Sequence, residues 1–332
     1  MTLLHHGLVP PATAARLIEA GRPCCVAGDE ALLRTLPRGC WIGGTIPYFM
    51  AEAGGLCTRE SVFVTELPVH GGGPRVARYE RHELERICTE TPDNGFTLLV
   101  LPAFSAVHEA FAQEAPGYPD MYQQPLVGWV AGVHLDELGQ AVPRVLDGRT
   151  GEALADAALA LHVPVDGRQR VHVDIVNLFE QRPGPVFEFD APGFAAGDCR
   201  IDGRPGNLHD WMLASAHDTR LPLVADCCGA LVNVSIRRLD AARRRVEFYA
   251  PVFPGTPYRP AAPLADYVAG FGQALARQQP PAPPLFSANC ILNHVHGALE
   301  GKRLGVHGPA AFGEIGYQLL NQTLVYLSLV DA

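Results

Sequence analysis

The sequence lacks a basic field. Its 332 residues carry 26 Lys and Arg against 35 Asp and Glu, a formal net charge of −9, and its isoelectric point is near 5.8. Nucleic-acid binders present a basic stripe to the phosphates, so no nucleic-acid partner is expected. The one dense basic stretch is Arg237, Arg238, Arg243, Arg244 and Arg245, bracketing Leu239-Asp240-Ala241-Ala242. It reads as a solvated tip between two strands, with a phosphate or partner contact as the sharper alternative. The nine cysteines are odd in number and contain no C-x-x-C pair. That argues against a disulfide framework or a zinc ribbon and fits a reducing cytoplasm. No stretch approaches the roughly 18 uninterrupted apolar residues of a membrane span, and the first residues show no basic start followed by an apolar run. Nucleophile-elbow, P-loop, zinc-protease and dinucleotide-binding signatures are also missing, which lowers the expectation of a conventional enzyme.

What is present suits a folded core. Hydrophobic residues make up 48% and charged residues 18% of the chain, ample for burial and too apolar for disorder. Pro10-Pro11 in front and Gly21 behind delimit a short helix over Ala12–Ala20. Further helices are expected over Gly28–Leu36, Arg78–Thr89, Ala106–Glu114 (capped by Ser105), Asn207–Ser215 and Pro263–Arg277. Ser61–Leu67 alternates with period two. Phe96–Leu101 and Pro125–Val133 are apolar runs of buried-strand length. Leu146-Asp147-Gly148 signals a hairpin. The proline-rich stretch Gln278–Pro284 reads as a stiff connector.

A weak echo recurs along the chain. An apolar strand reaches small residues, a short stretch follows, and then comes a second strand. It runs from Trp41–Thr45 to Ser61–Leu67, from Leu126–Gly132 to Leu154–Val163, and from Leu304–Pro309 to Thr323–Leu329. The spacing is too long and irregular for a solenoid and suits duplication of a mixed-sheet unit. The expected fold is therefore α/β or α+β, two related halves with mixed sheets and flanking helices. The boundary is placed between residues 1–163 and 164–332.

Three C-terminal segments carry a family resemblance. They are Leu285-Phe286-Ser287-Ala288-Asn289-Cys290, then Gly308 to Gly316 with its Gly313-Glu314-Ile315-Gly316 ending, then Asn321-Gln322-Thr323-Leu324. Together with Gln124–Gly128, Val145–Gly148 and the Cys40–Thr45 turn, they resemble FIST domains. The chain departs from that pattern at Asn293-His294-Val295-His296-Gly297, where the family has an arginine, and at Gly43–Phe49. The resemblance implies a stand-alone sensory protein that binds a small ligand and signals to a separate partner, a histidine kinase or a cyclic-dinucleotide enzyme. It also implies the alternative of a haem-based nitric-oxide sensor.

A sensor of this kind needs a concave, mostly apolar pocket with few placed polar groups. Gly43-Gly44-Thr45, Gly313-Glu314 and Asn289-Cys290, with Asn293, are the segments expected around it, because small residues let backbone approach a ligand. Trp41, Tyr48, Phe49, Trp129 and Tyr317 are candidate walls. For each, core packing is the plainer role. Glu314, flanked by apolar and small residues, either caps a turn or faces a ligand amine. His294 and His296, read as i, i+2 on a strand, would share a face and hold a metal or one haem, with Cys290 nearby. A rival from another class is an enzyme centred on Cys290 with one of these histidines or a metal. Cys227-Cys228 beside Asp226 reads as a buried structural pair.

Overall fold

The computed structural model describes residues 4–278, 280 and 282–332. The first stretch contains β1 (His6–Val9), α1 (Pro11–Glu19), β2 (Cys24–Gly28), α2 (Glu30–Leu33), β3 (Trp41–Thr45), β4 (Tyr48–Ala51), β5 (Gly54–Cys57) and β6 (Val62–Glu66). The second contains β7 (Arg75–Tyr79), α3 (Arg86–Thr89), β8 (Gly95–Pro102), α4 (Ala106–Glu114), β9 (Leu126–Ala131), β10 (Val145–Asp147), β11 (Glu152–Leu154) and β12 (Ala158–Pro164). The third opens with β13 (Gln169–Asn177). An inserted module follows, made of β14 (Phe187–Glu188), β15 (Gly193–Ala196), β16 (Asp198–Ile201), β17 (Arg204–Asn207), α5 (Leu208–Ala214), β18 (Leu223–Cys227), β19 (Ala230–Val234), β20 (Ile236–Asp240), β21 (Arg245–Val252) and β22 (Tyr258–Pro260). The third stretch then resumes with α6 (Tyr267–Gln278), β23 (Phe286–Cys290), α7 (Ile291–His296), β24 (Gly308–Ala311), β25 (Glu314–Gly316), β26 (Gln318–Leu320) and β27 (Thr323–Asp331). The class is mixed α+β, with mixed sheets and flanking helices.

The three stretches repeat one plan. In each, a strand–helix–strand unit pairs in parallel: β2 with β3, β8 with β9, β23 with β24. A later strand returns antiparallel on the other side: β6 on β2, β12 on β8, β27 on β23. The opening strand closes the far edge: β1 on β6, β7 on β12, β13 on β27. Each stretch also lends a hairpin to a neighbour's sheet. β4-β5 completes the third sheet, β10-β11 the first, and β25-β26 the second. The exchange is cyclic and ties the three sheets into one ring. The sequence echoes fall on β3 and β6, on β9 and β12, and on β24 and β27. Residues 1–163 thus hold two copies of the unit; the remainder holds the third copy and the insertion.

The period-two pattern explains the layering. Phe96, Leu98 and Val100 of β8 face a central core shared by all three sheets, with Cys25, Ala27, Phe286, Ala288, Val325 and Leu327. The alternate residues Leu99 and Leu101 face outward against Val107 and Phe111 of α4. On the first sheet Cys24 and Val26 face α1 through Ala14 and Ile18. Gly44 is required where the first two sheets meet, since a Cβ there would lie 2.6 Å from the Trp129 ring and 2.8 Å from Val100. Among the described residues, no helix is long and apolar enough to cross a membrane.

Some local expectations change. Arg78–Thr89 is not one helix: Arg75–Tyr79 forms β7 along β12, Arg81–Glu83 makes a single 3-10 turn, and Arg86–Thr89 is α-helical. Cross-strand pairing overrides helix propensity here. The Gln278–Pro284 connector includes Gln279 and Pro281, which lie outside the described residues. Cys227 and Cys228 are exposed at the β18–β19 turn rather than buried. Cys228 there adopts φ 56°, and Gly229 follows at 94°. The basic stretch does bracket a tip, between β20 and β21.

Candidate functional site

The carboxyl ends of β8 and β23 face one another across a cleft of about 1060 Å³. Strand ends of parallel pairs are where backbone leaves the sheet and side chains become free to meet a ligand. The insertion supplies the cleft's remaining wall through Phe194, Arg237 and Tyr249. Leu135, Leu138 and Phe312 line it as well. Phe104, Leu138 and Val295 are 46%, 44% and 47% exposed, and all three large apolar side chains stand on this one cleft.

The corner after β8 is strained and wired. Phe104 has φ 61°, a conformation that costs a bulky L-residue about 1–3 kcal/mol and persists where the surroundings hold it. Ser105 caps α4 by accepting from the His108 N–H at 3.2 Å, and its hydroxyl donates to Pro102 O at 2.7 Å. The Phe104 N–H points at His108 Nδ1, 3.3 Å away. That nitrogen therefore accepts, and the neutral ring carries its proton on Nε2. His108 is buried, and burial depresses its pKa to about 4. Its Nε2 has no partner. Phe104 exposes its ring to the cleft, with the Arg237 guanidinium carbon 5.3 Å from the ring centroid.

The corner after β23 is a buried polar knot. Asn289 Oδ1 accepts from the Cys290 N–H at 2.8 Å and from Asn293 Nδ2 at 3.0 Å. Asn293 Nδ2 also donates to Thr323 O at 3.1 Å. Thr323 returns its N–H, at 2.8 Å, and its hydroxyl to Glu314 Oε1. Asn289 Nδ2, Asn293 Oδ1 and Glu314 Oε2 remain without partners. Burial raises the Glu314 carboxyl to about 8, while the Thr323 donors and the neighbouring Cys290 thiol pull it back. Glu314 is thus a neutral acid at pH 7, with Oε2 free to carry the proton. Burial, then the Glu314 charge, pushes the Cys290 thiol well above its ordinary range. A thiol held uncharged is a poor nucleophile.

The expected site residues divide. Asn289, Cys290, Asn293 and Glu314 come together, and Cys290 touches the cleft. Gly313 sits beside them, where an added Cβ would lie 3.0 Å from Leu319. Trp41, Gly43, Gly44 and Trp129 pack sheets: Trp41 closes the α1 side and donates from Nε1 to Pro37 O at 2.8 Å. Thr45 holds the backbone by donating to Gly132 O at 2.8 Å. Tyr48 stacks on His134 with ring centroids 5.5 Å apart. Tyr317 makes the β25–β26 turn at φ 65° and lies against Tyr122.

The His-x-His reading is corrected. His294 and His296 lie on α7, not on a strand, and i, i+2 on a helix points side chains to different faces. His294 packs against Tyr48, with ring centroids 5.8 Å apart, while His296 borders the cleft. Among the described residues, no group of three His, Cys, Asp or Glu side chains is placed to hold a metal. The side chain acting on the Cys290 thiol is Glu314, and the Nδ1 atoms of both histidines are unpartnered. His108, Phe104 and Arg237 are absent from the sequence-based set. The Ser105 cap placed α4 correctly, but nothing in sequence announces a left-handed Phe104 or the wall that folds over it.

A search among curated proteins returns no match. The FIST resemblance is overturned by the family comparison, because the family model that spans this chain is a different one. Phe286–Cys290, Gly313–Gly316 and Asn321–Leu324 are strand β23, the exchanged strand β25 and the entry to β27 of the third unit. The chain belongs to a family of unknown function, DUF6976, whose model matches residues 9–330.

Proposed function

We propose that this protein binds a small, largely apolar molecule in the cleft between the ends of β8 and β23 and the inserted module. One observation carries the reading: the cleft gathers three exposed large apolar side chains and a fully buried histidine donor with no partner. Apolar walls with a few convergent polar groups are what ligand sites need, and unpartnered buried donors are costly unless something meets them. Binding is the part of a sensory role that these residues support. The partner kinase or cyclic-dinucleotide enzyme rests on the overturned resemblance alone, and haem on that resemblance and on a shared strand face that His294 and His296, both on α7, do not have.

The test is titration of the intact protein with a neutral dye that fluoresces in apolar surroundings. Saturable binding is expected, with loss in Val295→Trp, which places a ring in the cleft. Val69→Trp, at an exposed site outside the cleft lining, is the control. Equal binding by all three proteins would refute the assignment.

A further inference from the structure

The polar side of the cleft narrows the ligand's chemistry. Arg237 stands exposed on β20 over the Phe104 ring, and among the described residues no carboxylate pairs with it. Its neighbour Arg238, by contrast, grips Glu247 through two hydrogen bonds of 2.7 and 2.6 Å. An arginine with one face on an aromatic ring and its N–H edge unpaired is poised for a planar acceptor. On the same cleft lining, the His108 ring lies 6.2 Å from Phe194, a second wall residue, and its Nε2–H is an unpartnered donor that stays neutral across the physiological range. Both groups donate and neither accepts. The lining also contains Glu109 and Glu247. Glu247 is neutralised by Arg238, but the two together oppose a doubly charged head group.

We propose that the ligand is an amphipathic monocarboxylate, with its carboxylate shared between the Arg237 guanidinium and His108 Nε2–H and its apolar body lying on Phe104, Phe194, Phe312 and Leu138. This rests on the cleft being the binding site. A guanidinium meets a carboxylate through two parallel N–H bonds, and the imidazole donor supplies a third. A hydroxyl head would satisfy His108 and leave Arg237 unpaired. An ammonium head would sit against Arg237. A phosphate dianion would face Glu109 and Glu247.

Calorimetric titration of the intact protein with decanoate, decanol, decylamine and decyl phosphate separates these cases. Decanoate is expected to bind tightest. Arg237→Gln, at an exposed position that folding does not require, should weaken decanoate by about tenfold or more and decanol little, the size of one lost charged hydrogen bond. His108→Phe should weaken decanoate and decanol together, with a thermal melt confirming that the variant is folded. The proposal falls if decanol, decylamine or decyl phosphate binds as tightly as decanoate, or if Arg237→Gln binds decanoate like the parent. In those cases Val295→Trp still abolishes binding and the cleft stands. If no amphiphile binds the parent protein, the cleft assignment itself falls.

Discussion

Two strand-end corners of this molecule are built on the same plan and differ in one respect. At the ends of β2 and β3 a shallow cleft of about 400 Å³ is lined by Asp29, Glu30, Arg34, Thr45, Arg59 and Glu137. Those groups satisfy one another. Asp29 accepts from the Ala31 N–H at 3.0 Å, Arg34 holds Glu30 at 2.6 Å, and Arg59 reaches Glu137 at 2.8 Å. At the larger cleft His108 Nε2 is buried and left over, and in the knot behind Cys290 so are Asn289 Nδ2, Asn293 Oδ1 and Glu314 Oε2. The first residue of each exchanged strand repeats the contrast. Tyr48 and Val145 are an aromatic and an aliphatic residue, whereas Glu314 is a fully buried carboxyl. A repeated fold can place equivalent corners, but the two that meet under the insertion leave polar groups without partners. The orphaned groups set this region apart where charge does not, since the quiet corner is the more highly charged of the two.

The largest predicted effect breaks this contrast at Glu314. Its folded pKa of about 8 lies above the ordinary 4.5, so the fold favours the protonated acid. That contribution to stability is complete below pH 4.5 and is lost as the pH rises through 8, by a few kcal/mol. Glu314→Gln keeps the shape and removes the proton. Buried His6, His108 and His162, each lowered to about 4, act with the opposite sign at acid pH, but equally in both proteins. Denaturant unfolding at several pH values should therefore show a difference between variant and parent that grows from pH 5 to pH 8. Parallel stability curves would show that Glu314 ionises in the fold as freely as at the surface.

Much of the plan was legible in sequence because strands announce themselves locally. Phe96–Leu101 is apolar except at Thr97 and became β8, buried on both faces, and the three echoes became the second parallel strand and the last strand of each of the three units. The exchange of hairpins was not legible. Glu314 pairs with Trp129, Val145 with Gly44, and Phe49 with Pro309, and such separations leave no local pattern. The same limit explains the site. Cys290, Asn289, Asn293 and Glu314 could be grouped from sequence because they cluster in the last fifty residues. His108 and Arg237 reach the same cleft from α4 and from the insertion, and only the folded chain unites them. His294-Val295-His296 shows the converse, where an i, i+2 pattern suggested a strand and the chain turned into a helix.

Smaller effects sharpen the comparison by separating stability from binding. Asp29→Ala removes the α2 cap in the quiet corner and should cost about 1 kcal/mol, leaving decanoate affinity unchanged. Phe104→Gly should do the reverse. Releasing φ 61° from a phenyl side chain is expected to stabilise the fold by about 1 kcal/mol, while loss of the ring under Arg237 weakens binding. Thermal melts and titrations of the two variants check both signs. A destabilised Phe104→Gly that binds normally would mean the strained corner serves packing alone.

The smallest predicted effect asks whether the two corners are independent. Arg59 and Glu137 form an ion pair whose side chains are 45% and 40% exposed, so Arg59→Ala should change stability by no more than about 0.5 kcal/mol. Glu137, however, ends the short turn Leu135–Glu137, and Leu135 and Leu138 of that segment line the larger cleft. If the ion pair set the position of this segment, breaking it would be felt by the ligand. The Leu135 N–H is instead donated to the Tyr48 hydroxyl at 3.1 Å, and Tyr48 is itself clamped between His134 and His294. The segment is therefore anchored from the core side, and Arg59→Ala should bind decanoate like the parent. A measurable loss in affinity would show that the satisfied corner helps shape the unsatisfied one, and the two would have to be treated as a single site.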